Sequence, residues 1–202
     1  MWARRCGAAR RPSPPPRRAR FVQPILWLLI LAIAGIRPYQ GWANIESYYA
    51  PEDEPGDQLV RLYRNAEHYI YVAMYAFTYP PAVRALAAAK KRGVDVRVIT
   101  DRGRLQDQKQ MAALEALRLA GVPIRINRHE NLMHLKEVIV DDRVNTNGSM
   151  NQTSSGNGYN DERLDIIMDA TSTAKAKHKF LTMWRDRERF ADWTGGPLGI
   201  EP

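Results

Sequence analysis

Cysteine is almost absent from this sequence of 202 residues, since the only one is Cys6, near the N-terminus. A single thiol cannot close an internal disulfide or build a thiolate metal site. Long apolar runs are also scarce: the run at residues 25–36 (ILWLLILAIAGI) has 12 residues, whereas a transmembrane helix needs about 20. These absences exclude a disulfide-bonded scaffold and a cysteine metal centre.

Acidic residues are missing from residues 1–43, which contain eight arginines and no Asp or Glu. This segment accounts for the formal net charge of +8, because the remaining 22 basic residues balance the 22 acidic ones. The basic composition therefore gives no support to nucleic-acid binding by residues 44–202. A local basic groove is still compatible with a net charge of zero.

The arginines and the apolar run predict a signal peptide over residues 1–43, with the apolar run as its hydrophobic region. Small residues at Gly41 and Ala43 favour cleavage after Ala43. The protein would then be exported, to the periplasm or the medium. A start site further downstream and an uncleaved membrane anchor at residues 25–36 are the alternatives.

Strand and helix patterns alternate after residue 43. Strands are predicted at 44–51, 69–77, 94–100, 122–126, 138–140, 143–147 and 163–168. Helices are predicted from an N-cap at Asp57, from the proline pair at 80–81, and over 106–120 and 170–190. The alternation predicts one layered α/β domain over residues 44–194, with the sheet between helices and a short tail at 195–202.

The residues that could take part in catalysis or ligand binding are concentrated between positions 133 and 162. His134 and Lys136 are two positions apart at the start of a predicted strand, so their side chains should share a face. Placing two groups that can both be cationic side by side costs electrostatic free energy unless an anion lies between them. A phosphoryl group fits, with lysine as a charge clamp and histidine as nucleophile or proton donor.

Four further residues extend this site toward phosphoryl transfer. Gly148 permits a tight turn or a close approach to a ligand. Ser149 and Asn151 then supply hydrogen-bond donors for phosphate oxygens. Glu162 is predicted to accept a hydrogen bond from the far nitrogen of His134 and so fix its tautomer.

The pattern HxKxxxxD, followed by GSxN and a later glutamate, resembles the HKD motif of the phospholipase D superfamily. The resemblance extends more loosely over about residues 44–194. It implies a layered α/β/α domain with a central mixed sheet, and a phosphohistidine mechanism that uses no metal or other cofactor. The catalytic residues it implies are His134, Lys136, Asp141, Ser149, Asn151 and Glu162.

Roles within that set differ. Lys136, Ser149 and Asn151 would bind the substrate phosphate, whereas Asp141, at the strand end, is expected to support the site without contacting substrate. One copy of the motif makes the chain similar to the single-motif members, the Nuc-like bacterial endonucleases and the mitochondrial cardiolipin hydrolases. It lacks the cysteine-rich zinc insertion of many of the latter.

A single motif supplies one histidine, but displacement through a covalent intermediate needs a nucleophile on one side of phosphorus and an acid on the other. In the superfamily two motifs meet at a two-fold axis, so the resemblance implies a homodimer with a shared site. Each His134 would then have one of the two roles.

Three functions agree with these observations. The first is a metal-independent nuclease with little sequence preference. The second is a phospholipase D-type hydrolase of phospholipids, because the same centre cleaves a phosphodiester with either kind of substituent. The third is a non-catalytic, membrane-tethered binding module.

Overall fold

An eight-stranded sheet forms the centre of the structure, a computed structural model that describes residues 44–196. The strands are β1 (Asn44–Ala50), β2 (Tyr69–Met74), β3 (Asp95–Thr100), β4 (Ile124–Asn127), β5 (Lys136–Val140), β6 (Val144–Gly148), β7 (Glu162–Met168) and β8 (Phe190–Asp192). Their order is β1-β7-β6-β5-β2-β3-β4-β8. The pairs β2–β3 and β3–β4 are parallel and the other pairs antiparallel, so the sheet is mixed.

Five α-helices connect these strands: α1 (Pro55–Asn65), α2 (Pro80–Lys91), α3 (Gln108–Leu119), α4 (Ser154–Gly158) and α5 (Ala170–Arg185). The proline pair opens α2 as predicted, where a missing N–H costs nothing. Three other helices have side-chain N-caps. The Asp107 carboxylate accepts from the backbone N–H of Lys109 at 2.8 Å, the Asp169 carboxylate from that of Ser172 at 2.7 Å, and the Thr153 hydroxyl from that of Gly156 at 2.9 Å.

Two apolar cores cover the two faces of the sheet. Alternate residues of β2, such as Ile70 and Val72, pack with buried side chains of α1, α2 and α3. The intervening residues, Tyr69 and Tyr71, pack with α5, where Phe180 is fully buried. This alternation follows from the two-residue period of a strand, and it confirms the predicted layered α/β/α arrangement around a mixed sheet.

Several predicted boundaries differ in the structure. Asp57 is not the N-cap of α1, because Glu54 precedes the helix and Asp57 accepts from the Tyr79 hydroxyl at 2.7 Å. The predicted helix at 106–120 is a 3₁₀ turn (Arg102–Gln106) followed by α3. The predicted helix at 170–190 ends at Arg185, and β8 follows it.

The predicted signal peptide or anchor at 1–43 lies outside the described residues, as does most of the predicted tail. In residues 44–196 there is no helix with the length and apolarity that a membrane crossing requires.

Candidate active site

The motif residues meet at one edge of the sheet because of the strand directions. Lys136, the first residue of β5, pairs with Met74, the last residue of β2. Gly148, the last residue of β6, pairs with Leu164 near the start of β7. The start of β5, the ends of β2 and β6 and the start of β7 therefore converge, although they are far apart in sequence.

His134 and Lys136 form the centre of this edge. His134 precedes β5 instead of lying within it, and its side chain is exposed. The Nζ atom of Lys136 lies 3.2 Å from Nδ1 and 3.1 Å from Nε2 of His134, and donates to the His134 carbonyl oxygen at 3.0 Å. Burial lowers the pKa of the Lys136 ammonium, and the Glu162 carboxylate opposes that shift. The two side chains are adjacent, as their spacing predicted.

Ser149 and Glu162 form a second pair at the same edge. The Ser149 hydroxyl donates to the Glu162 carboxylate and accepts from the backbone N–H of Arg163 at 3.1 Å. The sequence prediction placed this carboxylate on the imidazole of His134. Within the described residues, Glu162 instead accepts from Ser149 and, at 3.5 Å, from Asn160.

Asn151 is held by the segment that follows β2. Its side-chain carbonyl oxygen accepts from the backbone N–H of Ala76 at 3.1 Å. That contact fixes the amide so that its NH₂ group is the end available to donate to a phosphate oxygen. The hydrogen bond also connects the segment after β6 to the segment after β2.

Asp141 lies at the opposite end of β5 from Lys136, roughly 16 Å away at the ordinary rise of a strand. Its carboxylate accepts from the backbone N–H groups of Glu67, His68 and Tyr69 at 2.7, 2.8 and 2.9 Å. Burial raises the pKa of Asp141, but these three donors outweigh it and hold the pKa below its usual value. These contacts fit the expected supporting role.

Two side chains near His134 and Lys136 were not among the predicted site residues. The Tyr75 ring packs edge-on against the His134 ring, with centroids 4.7 Å apart, and lies 5.3 Å from Nζ of Lys136. The Arg104 guanidinium lies 5.7 Å from the centroid of the Tyr75 ring. Tyr75 directly follows β2, which is the only sequence signal that places it at this edge.

A buried carboxylate supports the loop that carries His134. Asp101 is 1% exposed, and its side chain accepts from the backbone N–H of Met133 at 2.7 Å and from that of Gly103 at 2.9 Å. It follows β3 directly and so joins the end of that strand to the loop that carries His134. In residues 44–196 no three His, Cys, Asp or Glu side chains are grouped in a way that suits a metal ion.

Three cavities surround the motif. One of about 410 Å³ includes His134 and His129 in its walls. One of about 920 Å³ includes Arg104, and one of about 480 Å³ includes Ser149 and Glu162. Two of the three cavities therefore include motif residues, and the largest of the three is connected to the motif only through Arg104, whose guanidinium lies near the Tyr75 ring.

Comparison with known proteins identifies the family that the motif resembles. Residues 59–184 match the family described as "Cardiolipin synthase, PLD-like domain". The chain is 29% identical over 134 residues to a mitochondrial cardiolipin hydrolase of Xenopus tropicalis, covering 66% of this chain and 63% of that protein. It is 27% identical over 146 residues to a phospholipase D of Rickettsia prowazekii, covering 72% and 68%.

The fold has a solved counterpart. The crystal structure of Nuc from Salmonella typhimurium, a phospholipase D family member, superposes with a TM-score of 0.70 at 26% identity, over 75% of this chain and 99% of that one. The matched stretch spans roughly two thirds of the length of the first two curated relatives. The family match covers more than half of the chain, and the chain belongs to the phospholipase D superfamily.

Proposed function

We propose that this protein is a metal-independent phosphodiesterase that cleaves nucleic acid with little sequence preference, through a phosphohistidine on His134. The observation that carries the proposal is the Nζ atom of Lys136 within 3.2 Å of both ring nitrogens of an exposed imidazole. Such a pair provides a nucleophile and a fixed positive charge at the same point.

The reaction would have two steps. An imidazole nitrogen of His134 attacks phosphorus, forming a P–N bond as the bond to the leaving oxygen breaks. Lys136, Ser149 and Asn151 bind the non-bridging oxygens, and a second imidazole protonates the leaving oxygen. That second imidazole then takes a proton from water, whose oxygen attacks phosphorus and releases His134 as the P–N bond breaks.

The second imidazole would come from a second copy of the chain. An attacking and a leaving group lie on opposite sides of phosphorus, so one His134 cannot serve both. A homodimer with the active site at its two-fold axis supplies two equivalent histidines. In this dimer Asp141 would keep its supporting role, because it lies at the far end of β5.

The distribution of charge supports a nucleic-acid substrate. The 920 Å³ groove reaches the site through Arg104, which lies 5.7 Å from the Tyr75 ring. Among the described residues of its walls, Arg84, Arg104 and Lys109 are basic and Asp107 is the one carboxylate. The cavity at Ser149 is acidic instead, since its charged residues are Glu52, Asp161, Glu162 and Arg163. A polyanion would therefore approach along the first groove, even though residues 44–202 have no net charge.

A second candidate is hydrolysis of phospholipids. The observation that favours it is the apolar wall of the cavity at His134, which includes Leu132, Met183 and Phe190. Two of the relatives are named as a cardiolipin hydrolase and a phospholipase D. A third candidate is a membrane-tethered module, which would bind its ligand without hydrolysing it.

Hydrolysis assays separate these candidates. The full chain and its His134→Ala variant are incubated in EDTA with single-stranded DNA, duplex DNA and phospholipid vesicles. The nuclease predicts DNA cleavage that survives the chelator and is lost in the variant. Release of a headgroup or phosphatidate without DNA cleavage would support the lipase, and no turnover would support the module.

We also propose that residues 1–43 direct export of a domain comprising residues 44–194, with cleavage after Ala43. Retention of residues 25–36 as an anchor would instead keep the site beside membrane phosphates. Mass spectrometry of the protein recovered from its host separates a mature N-terminus at Asn44 from an intact chain.

A further inference from the structure

Arg104 connects the motif to the groove of about 920 Å³. Its guanidinium carbon lies 5.7 Å from the centroid of the Tyr75 ring, and the Nζ atom of Lys136 lies 5.3 Å from the same centroid. Since both distances end at one point, the two cationic groups are at most about 11 Å apart. Arg104 is therefore close enough to the motif to contact a substrate that Lys136 holds.

The guanidinium of Arg104 is held in place by the N-cap of α3. Its Nη2 atom donates to Oδ2 of Asp107 at 2.5 Å, while Oδ1 of the same carboxylate accepts from the backbone N–H of Lys109 at 2.8 Å. Within residues 44–196 its Nη1 atom has no hydrogen-bond acceptor, and the side chain is 30% exposed. An arginine that is fixed at one edge in this way presents the other edge of its planar fork to a ligand.

The charged part of the groove wall suits an anion. Arg84 and Lys109 are exposed beside Arg104, so the described wall has three cations and Asp107 as its one carboxylate. Asp107 is already engaged by Arg104 and by the backbone of α3, so it leaves Arg84 and Lys109 without a carboxylate partner in the described residues. A phosphate is the anion whose oxygens match the donor geometry of a guanidinium.

We infer that Arg104 binds a second phosphate of the substrate strand, next to the phosphate that His134 attacks. In a polynucleotide each phosphate has a neighbour one sugar away, so a strand held at Lys136 brings another anion toward Arg104. Nη1 of Arg104 donates to a non-bridging oxygen of that neighbour. The preferred substrate is then a strand with consecutive phosphates, in preference to an isolated phosphodiester. This inference rests on the proposed nuclease function.

The test removes the charge of one neighbouring phosphate at a time. Hexathymidylate with a label at its 5′ end is prepared with uncharged methylphosphonate linkages, except for a single phosphodiester at the centre. Two further versions have a second phosphodiester, on the 5′ or on the 3′ side of the central one. Product lengths identify the bond that is cleaved, and kcat/KM is measured for the central bond.

The full chain is compared with its Arg104→Gln and Arg104→Lys variants. The matched control is Arg118→Gln, because Arg118 pairs with Glu115 three positions earlier on α3, and Arg104 likewise pairs with an acidic residue three positions away. Each enzyme is assayed on all three substrates from one preparation. Partial loss of folded protein therefore cancels from the ratio between substrates.

In the parent, a charged neighbour on one side should raise kcat/KM at the central bond roughly tenfold, the lower range for a hydrogen bond to a charged group. In Arg104→Gln the substrates with one and with two phosphodiesters should be cleaved equally. Arg104→Lys should keep part of the preference, because an ammonium is charged but lacks the fork of a guanidinium. Arg118→Gln should keep the parent ratio.

Other results overturn the inference in distinguishable ways. Equal cleavage of all three substrates by the parent removes the second-phosphate subsite and leaves the nuclease intact. A preference that persists in Arg104→Gln assigns the neighbouring phosphate to another residue; if that variant does not fold, a full preference in Arg104→Lys has the same meaning. Hydrolysis of phosphatidylglycerol vesicles without cleavage of any oligonucleotide overturns the nuclease and the subsite together, as does the absence of any hydrolysis.

Discussion

Gly148 is a residue at which the backbone of the neighbouring strand leaves no room for a methyl group. Its φ is +152°, and a Cβ atom there would lie 2.0 Å from the carbonyl oxygen of Arg163. We expect Gly148→Ala to lower the free energy of unfolding by about 1–3 kcal/mol. It should also lower phosphodiester hydrolysis roughly tenfold, because Ser149 moves with the turn.

Gly158→Ala is the control for this prediction, since a Cβ atom there meets no atom within 4 Å. Denaturant titration and hydrolysis assays on both variants provide the measurement. Equal effects at the two positions would show that the close approach of Gly148 to Arg163 is unimportant.

The contact of His134 with Lys136 was expected from their two-residue spacing on a strand, but His134 precedes β5, and the Lys136 side chain reaches back to its imidazole and its carbonyl oxygen. The hydrogen-bond partner of Glu162 could not be predicted in this way. The pairing of β6 with β7 brings Ser149 beside the Glu162 carboxylate, and that pairing is not visible in the local sequence. Tyr75 is a similar case: its contact with His134 depends on which strands are adjacent in the sheet.

At the scale of the element, patterning predicted seven of the eight strands but not β8. That strand has three residues, and its position depends on Arg125 of β4, which is fully buried and donates to Asp192 at 2.7 Å. A pairing between residues so far apart leaves no local signal. The helix α4 was not predicted because its own sequence, SSGNG, favours a loop.

The turn between β5 and β6 is attached to the start of β2 by Asp141, which gives a prediction about stability and pH. We expect Asp141→Asn to lower the free energy of unfolding at pH 7 by about 1–3 kcal/mol, because a neutral amide accepts hydrogen bonds less strongly than a carboxylate. Asparagine tolerates the positive φ of +53° at this position, so charge and hydrogen bonding alone change.

The sign of the pH dependence follows from the lowered pKa of Asp141. The stabilising contribution is present above the unfolded pKa of about 3.9 and is lost as the pH falls through the folded value. The stability gap between parent and Asp141→Asn should therefore shrink in acid, as denaturant titrations at several pH values would reveal. Hydrolysis near neutral pH should persist, and its selective loss with stability intact would contradict a supporting role.

At the scale of the whole molecule, the proposed mechanism requires two chains per active site. Co-expression of equal amounts of the parent and a tagged His134→Ala chain would produce the parent, mixed and variant dimers in a ratio of about 1:2:1. Only the parent dimer contains both imidazoles, so activity per total chain should fall to about one quarter of the parent value. Independent chains would retain about one half.

His178→Ala is the matched control, because His178 is exposed on α5 and should leave the mixture fully active. Sedimentation would establish that the mixed species is a dimer, and pull-down on the tag would isolate it for assay. Because the nucleophile attacks phosphorus on the side opposite the leaving oxygen that must be protonated, the purified mixed dimer should be inactive. Substantial turnover by that species would mean that one chain supplies both the nucleophile and the acid, and the shared site would have to be abandoned.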